Sequence, residues 1–272
     1  MKPLFIPAEP GALFGVFYPP LGRAPNQAIL YIPPFAEEMN KSRRMASLQA
    51  RAFADRGYAV LLLDLFGSGD SHGEFGAASW EIWLDNVAAG IGWLKRQGAE
   101  HLILWGLRTG ALLALDFASQ DRENIERLLC WQPVLNGDTF ITQFLRLRVA
   151  AAMLDGNAPR EKTADLKQQL LAGHGIEVAG YWLRPELVKP LLALRADRLN
   201  LQAVREVAVL EVAASEEAPV SLGNSQLLAG LQAQNIGAAL TKVAGNQFWT
   251  SQEISEAPAL LQASNLKVEQ WL

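Results

Sequence analysis

One stretch of the sequence decides the fold, and it reads His101-Leu102-Ile103-Leu104-Trp105-Gly106-Leu107-Arg108-Thr109-Gly110-Ala111-Leu112-Leu113-Ala114. An apolar run of strand length passes through Gly-x-x-x-Gly directly into a segment rich in Ala and Leu, which predicts a buried strand joined at once to a helix. Gly106 and Gly110 allow close packing of helix and strand around a strained turn. We therefore expect Arg108, the residue midway between them, to point into a site at the end of the strand.

Units of the same kind recur along the rest of the chain. Apolar, β-rich runs predict strands at residues 13–18, 28–32, 58–65, 101–106, 128–134, 206–214 and 238–244. Apolar residues at three- and four-residue spacing predict helices at residues 41–56, 79–97, 109–119 and 221–234. Strands that alternate with helices of this length predict the α/β class, with a mostly parallel, doubly wound sheet.

The alternation stops between residues 136 and 205. This segment has no convincing strand, and turn sequences at 156–159, 173–175 and 183–185 separate several helical pieces. A bare loop of that length is uncommon in a compact domain. We therefore predict a core formed by residues 1–135 and 206–272, with a helical cap at 136–205. The cap is expected over the carboxyl ends of the strands, where ligands bind in open α/β sheets.

The composition excludes several kinds of function. The 272 residues include 24 Lys and Arg against 28 Asp and Glu, a net charge of −4, which predicts no nucleic-acid partner. The single cysteine, Cys130, and three dispersed histidines match no disulfide or metal-site spacing, so we expect no metal and no cofactor. Apolar runs of strand length and a proline-rich N-terminus predict no membrane insertion and a cytoplasmic location. The oligomeric state is not predicted.

Two loops are expected to lie beside Arg108 at the same edge of the sheet. One is the glycine-rich turn Asp64-Leu65-Phe66-Gly67-Ser68-Gly69-Asp70-Ser71-His72-Gly73. The other is Pro33-Pro34-Phe35-Ala36-Glu37-Glu38-Met39-Asn40-Lys41-Ser42-Arg43-Arg44. With the turn at 106–110, these two loops resemble the exosortase A system-associated hydrolases of the second type. Those bacterial α/β-hydrolases are encoded beside exosortase and exopolysaccharide biosynthesis genes, and the likeness extends to Phe248-Trp249 and residues 253–259.

The resemblance implies an α/β-hydrolase fold and a hydrolase of the esterase or thioesterase type. Residues 106–110 would be the nucleophile elbow, which has the pattern Gly-x-Ser-x-Gly in that superfamily. The loop that holds Phe35 would take the place of the oxyanion loop. The backbone N–H groups of Phe35 and Thr109 would then form a pair suited to an oxyanion or another anionic group.

The catalytic positions of that superfamily hold other residues in this chain. Arg108 stands where the serine is expected, and a guanidinium stays protonated and cannot act as a nucleophile. The acid position falls at Ala218, next to Glu217. The base position falls near Gln247, and no histidine follows His174. We therefore expect no ordinary Ser-His-Asp mechanism.

Two functions remain compatible with these residues. One is a hydrolase of an acyl or ester-like small molecule, in which Arg108 and the two N–H groups polarise the substrate. Proton transfer would then fall to a carboxylate, and the candidates are Glu37, Glu38 and Glu217. The other is a catalytically inactive relative that binds an anionic ligand through Arg108 at a helix N-terminus, or that scaffolds partner proteins.

Each candidate residue also has a purely structural interpretation. Arg108 could pair with a carboxylate and brace the turn, and Glu37 and Glu38 could simply favour a helix N-terminus. We expect at most one of these two carboxylates to face the site. Further substrate contacts are predicted at the edge of the pocket, by Ser71, His72, Gln247, Phe248 and Trp249.

Overall fold

A computed structural model describes residues 1–22, 24, 26–155 and 161–271. The strands are β1 (Lys2–Ile6), β2 (Leu13–Tyr18), β3 (Gln27–Ile32), β4 (Ala59–Leu63), β5 (His101–Leu107), β6 (Arg127–Trp131), β7 (Ile176–Val178), β8 (Tyr181–Leu183), β9 (Glu206–Ala213) and β10 (Gly237–Ala244). The helices are α1 (Glu37–Asp55), α2 (Trp80–Arg96), α3 (Thr109–Ser119), α4 (Gly137–Asp155), α5 (Thr163–Leu171), α6 (Pro185–Ala193), α7 (Leu222–Ala233) and α8 (Pro258–Glu269).

Eight strands form one twisted sheet in the order β1-β2-β4-β3-β5-β6-β9-β10. All pairs from β4 to β10 are parallel, whereas β1 and β2 pair antiparallel with each other and β2 pairs antiparallel with β4. Helices α1 and α8 cover one face, and α2, α3 and α7 contribute to the core on the other. The predicted α/β class with a mostly parallel, doubly wound sheet is confirmed.

The cap contains a hairpin that the sequence analysis missed. Strands β7 and β8 pair antiparallel inside segment 136–205, so the expectation of no strand there was wrong. Each strand has three residues, which is too short to show an alternating pattern, and the turn between them uses positive φ at Ala179 (50°) and Gly180 (83°). Strand β1 and helix α8 were also missed, because Pro3 obscures the edge strand and α8 has no marked apolar stripe.

Segment 136–205, the predicted cap, reaches the carboxyl ends of the strands. Its helix α4 brings Phe140 and Phe144 against Phe35, which follows β3. The two ends of the inserted segment meet, since Asn136 pairs with Arg195 and the Ala196 N–H donates to the Leu135 carbonyl (2.9 Å). The turn expected at 156–159 lies outside the described residues, and the division at 135/136 and 205/206 stays a prediction.

Two glycines allow α3 to start directly at the sheet. A Cβ on Gly110 would lie 2.2 Å from the Ile32 carbonyl oxygen, and a Cβ on Gly106 would lie 2.4 Å from the Ala111 nitrogen. Both obstacles are backbone atoms, which cannot move aside as a flexible side chain can. The contact of α3 with the end of β3 therefore requires glycine at position 110, and the contact of α3 with β5 requires glycine at position 106.

We expect Gly110→Ala to lower the free energy of unfolding by roughly 3 kcal/mol or more, because the methyl group would force α3 away from β3. Gly92→Ala is the matched control, since in α2 its Cβ would meet only the flexible end of Arg96 at 3.5 Å. That variant should be neutral or up to ~1 kcal/mol more stable. Urea unfolding of both variants checks the difference, and equal effects would contradict the close-packing argument.

Candidate active site

Arg108 occupies the turn between β5 and α3 in a strained conformation. Its φ of 56° and ψ of −117° fall in a region that L residues seldom adopt outside functional turns. The Arg108 N–H donates to the Trp131 carbonyl (2.9 Å), and its own carbonyl accepts from the Val134 N–H (3.1 Å). These bonds to the end of β6 hold the turn, so that Arg108 lies at the carboxyl edge of the sheet as expected.

A second strained turn faces the first. Ala36, which precedes α1, has φ 53° and ψ −130°, close to the values of Arg108. The N-termini of α1 and α3 therefore meet at one edge of the sheet. No acceptor for the N–H groups of Phe35 and Thr109 occurs within the described part of the chain. An oxyanion site requires unbonded donors of this kind. Phe35 lines the cavity described below, whereas Thr109 is buried and does not.

A cavity of about 370 Å³ lies beside Arg108, between the two helix N-termini and α4 of the cap. Its lining divides into a charged floor and an apolar wall. The floor is formed by Glu37, Glu38, Lys41 and Arg108. The rest of the lining, which includes the apolar wall, is Phe35, Phe140, Gln143, Phe144, Leu147, Trp249 and Thr250.

The apolar wall is an aromatic cluster centred on Phe35. Its ring lies edge-on to Phe140 and Phe144, with centroids 5.4 and 5.1 Å away. Phe75 and Trp83 support it from the core side at 5.3 and 5.9 Å. Edge-to-face packing of this kind fixes the rings in place, so the wall is a defined surface rather than a loose collection of side chains.

Arg108 forms a loose ion pair with Glu38. Its Nη2 lies 3.4 Å from Oε1 of Glu38, and its Nε lies 3.4 Å from both carboxylate oxygens. The guanidinium carbon is 5.7 Å from the centre of the Trp249 ring, a cation–π contact. Burial raises the pKa of Glu38, while the charges of Arg108 and Lys41 act in the opposite direction. Burial is the larger effect, so Glu38 takes up a proton more readily than an ordinary carboxylate.

Glu37 also lines the cavity, which differs from the expectation that one carboxylate at most would face it. Helix α1 begins at Glu37, so both carboxylates fall in its first turn and a cavity at the helix end reaches both. Oε2 of Glu37 accepts from the Tyr181 hydroxyl of the cap (3.1 Å) and from the Asn40 amide (3.2 Å). Glu37 therefore links the cap to the core, whereas Glu38 is the carboxylate beside Arg108.

Several predicted contacts lie away from this cavity. Ser71 is a structural residue, since its hydroxyl donates to the Asp64 carbonyl (2.6 Å) and accepts from the Phe14 N–H (2.8 Å). His72 is exposed and packs beside Gly11. Gln247 is exposed and Phe248 is buried against Trp131, and among the predicted substrate contacts only Trp249 lines the cavity. Glu217, the third candidate for proton transfer, is exposed and also lies outside the lining.

The cap residues of the cavity were missed by the sequence analysis. Phe140, Phe144 and Leu147 recur at spacings of four and three, which is the pattern of one helix face. This signal was present, but nothing local shows that the face covers a cavity rather than the core. Lys41, Gln143 and Thr250 carry no comparable signal.

The lining contains no Ser, Cys or His among the described residues. Cys130 is buried in β6, where burial raises the pKa of its thiol to about 12. The Thr109 hydroxyl is buried and has no hydrogen-bond partner within the described ranges. In that same part of the chain no group of three His, Cys, Asp or Glu side chains could hold a metal ion, and no helix is long and apolar enough to cross a membrane.

The mostly parallel sheet, the strained turn at 106–110 and the capped cavity at its carboxyl edge define an α/β-hydrolase. The model of the Hydrolase_4 family, described as serine aminopeptidase, S33, matches residues 24–181. This is more than half of the chain, which therefore belongs to that family. No curated protein matches the sequence.

Solved structures show the same fold. Est1E from Butyrivibrio proteoclasticus with ferulic acid bound has 15% identity and a TM-score of 0.66, with 98% of this chain and 97% of that chain covered. A soluble variant of monoglyceride lipase from Saccharomyces cerevisiae, in complex with a substrate analog, has 12% identity and a TM-score of 0.64 over 99% and 94%. XC6422 from Xanthomonas campestris, a serine hydrolase without lid, has 15% identity and a TM-score of 0.60 over 100% and 94%.

We expect the bond between Tyr181 and Glu37 to contribute about 1 kcal/mol to stability, because it joins the cap to the first turn of α1. A double-mutant cycle with Tyr181→Phe and Glu37→Ala, followed by urea unfolding, measures this coupling. Trp182→Phe in place of Tyr181→Phe is the control, since Trp182 packs on Gly76 instead. Strictly additive effects of Tyr181→Phe and Glu37→Ala would show that the bond contributes nothing.

Proposed function

We propose that this chain binds a small amphipathic acyl molecule through an anionic head group, and that it does so without Ser-His-Asp catalysis. The observation that carries the proposal is Arg108 itself. A permanent cation stands at the elbow, where the superfamily has its nucleophile, and it faces a cavity with an aromatic wall. Residues 136–205 would act as the cap that closes over the ligand.

The charged floor supports an anionic head group. A guanidinium can hold a carboxylate or a phosphate through two parallel hydrogen bonds. Arg108 lies at the N-terminus of α3, whose dipole also favours negative charge, and Lys41 adds a second cation nearby. The N–H groups of Phe35 and Thr109 would complete the set of donors.

The apolar wall supports an acyl or aryl tail. Phe140, Phe144 and Leu147 of α4 lie above the charged floor and offer a continuous apolar surface. Est1E, which shares the fold, was solved with ferulic acid bound, an example of a carboxylic acid held by a protein of this architecture. The resemblance to exosortase-associated hydrolases supports a ligand from exopolysaccharide synthesis or protein sorting.

A second candidate function is hydrolysis of such a molecule by a route without a nucleophile. The N–H groups of Phe35 and Thr109 support it, because neither has an acceptor within the described part of the chain and an oxyanion would need such donors. Glu38 would then activate water as a general base, since its environment makes it a better proton acceptor than an ordinary carboxylate. Binding is the common requirement of both functions.

The binding proposal predicts that octanoate binds the wild-type chain and that Arg108→Ala weakens it by roughly 10- to 100-fold, the effect of losing a charged hydrogen-bond donor. Arg108→Lys should recover part of the affinity, because the charge is kept and the bidentate geometry is lost. Isothermal titration calorimetry measures the three affinities. Arg44→Ala is the control, since Arg44 lies on α1 but pairs with Glu256 outside the cavity.

Unchanged affinity in Arg108→Ala would remove Arg108 from the site. If neither octanoate nor octyl phosphate bound to the wild-type chain, the proposal of an amphipathic anion would be wrong.

The absence of a nucleophile from the described lining predicts no labelling by a fluorophosphonate probe, whereas a serine hydrolase such as a commercial esterase should label in parallel. A panel of short and long acyl esters and thioesters tests turnover. Turnover that disappears in Glu38→Gln would establish the second function. Stoichiometric labelling would show that an activated serine exists and would contradict both candidates.

A further inference from the structure

We propose that Glu38 competes with the ligand for Arg108, so that a ligand anion displaces the Glu38 carboxylate and the displaced carboxylate takes up a proton. This inference rests on the proposed function, because it concerns the same site. It adds that binding is coupled to pH and that the site selects ligands by their charge.

The geometry shows a pair that is easily separated. All three contacts between Arg108 and Glu38 measure 3.4 Å, although charge-assisted bonds between nitrogen and oxygen are normally 2.7–2.9 Å. Arg148 and Glu161 form a tight pair in the same chain, with two bonds of 2.7 Å. A carboxylate ligand that reached Arg108 at normal distances would therefore replace a poor bond with a better one.

The side chains are placed for such an exchange. Arg108 and Glu38 both line the cavity, and their side chains are 20% and 19% exposed. A ligand head group can thus reach the guanidinium from the cavity. Glu38 is held at the first turn of α1 and remains close to Arg108 after the exchange.

The charges around Glu38 determine the result of the exchange. Glu37 and Lys41 lie on its own helix, Arg108 lies in the turn before α3, and Tyr31 lies on β3. The pKa of Tyr31 is raised by burial, so its hydroxyl stays neutral. Gln143 of the cap and Trp249 and Thr250 of the C-terminal segment add no charge to the lining. The floor therefore holds two cations and two carboxylates, and a bound monoanion would leave one excess negative charge.

Proton uptake by Glu38 removes this excess. Burial already raises the pKa of Glu38, and the charge of Arg108 is the largest effect that lowers it. When the ligand takes over the guanidinium, that lowering is lost and a new negative charge lies nearby, so the pKa rises further. The protonated carboxyl is then a hydrogen-bond donor toward the ligand anion. The proton comes from solvent, and no covalent bond changes.

The coupling has a definite sign. Because the complex holds more protons than the free protein, affinity increases as the pH falls. At full coupling it changes by about tenfold per pH unit, within the window between the pKa of Glu38 in the free protein and in the complex. The site should therefore bind a ligand with one negative charge more tightly than a ligand with two, because the single proton on Glu38 neutralises only one added charge.

Calorimetry with octanoate tests the coupling. Titrations of the wild-type chain between pH 6 and 8, in buffers of different ionisation enthalpy, give the number of protons taken up, which we expect to lie above zero and to be at most one. Free octanoate is ionised throughout this range, so any proton taken up belongs to the complex, and the Glu38→Gln variant assigns it to Glu38. In Glu38→Gln we expect no proton uptake, affinity that is independent of pH, and tighter binding than wild type at pH 8.

Glu256→Gln is the matched control. It removes a carboxylate that pairs with Arg44 outside the cavity, and it should keep the proton uptake of the wild type. Because the uptake is measured on the wild-type chain, the test does not depend on the folding of any variant. Binding that requires Arg108 but takes up no proton would overturn this inference and leave the proposed function intact. Affinity that is unchanged in Arg108→Ala would overturn the proposed function itself.

Discussion

The close contact between α3 and the carboxyl ends of β5 and β3 is the constraint on which the site depends. Gly106 and Gly110 allow backbone to meet backbone there, with no space for a Cβ at either position. The contact forces Arg108 into a strained turn and sets the N-termini of α1 and α3 side by side. Residues 35–38 and Arg108 are brought together by this packing, which explains why a charged floor forms at this edge of the sheet.

The floor shows how a half-buried cation is accommodated beside an apolar wall. Arg108 has Glu38 as a counter-ion and Trp249 as an aromatic neighbour, and neither contact is a strong one. A tight internal pair would stabilise the turn but would leave the guanidinium with little capacity for a ligand. The loose pair leaves the Arg108 guanidinium available to a ligand. The Glu38 carboxylate is in turn only weakly stabilised by its partner, and burial raises its pKa.

Local sequence patterns predict well the helices and strands that are long and are buried along most of their length. The expected helix at 109–119 has the observed bounds, and the apolar runs at 101–106 and 206–214 became strands buried between two helical layers. Local pattern failed where an element is short or lies at an edge. The three-residue strands β7 and β8 pair with each other, and Trp182 of β8 also packs on Gly76, a contact between distant segments that no local sequence window contains.

By itself, the sequence determined the fold class, the strained turn and the presence of Arg108 at its centre. Those features depend on residue type and on spacing within about one turn of helix or one strand. The tertiary structure decided the rest: that Arg108 is paired with Glu38, 70 positions away, and that α4 supplies the apolar wall. It also separated Ser71 from the cavity by binding its hydroxyl to backbone. These outcomes depend on how segments that are distant in sequence pack against each other. Local sequence patterns describe one segment at a time, so they do not give the distances between segments in the folded protein.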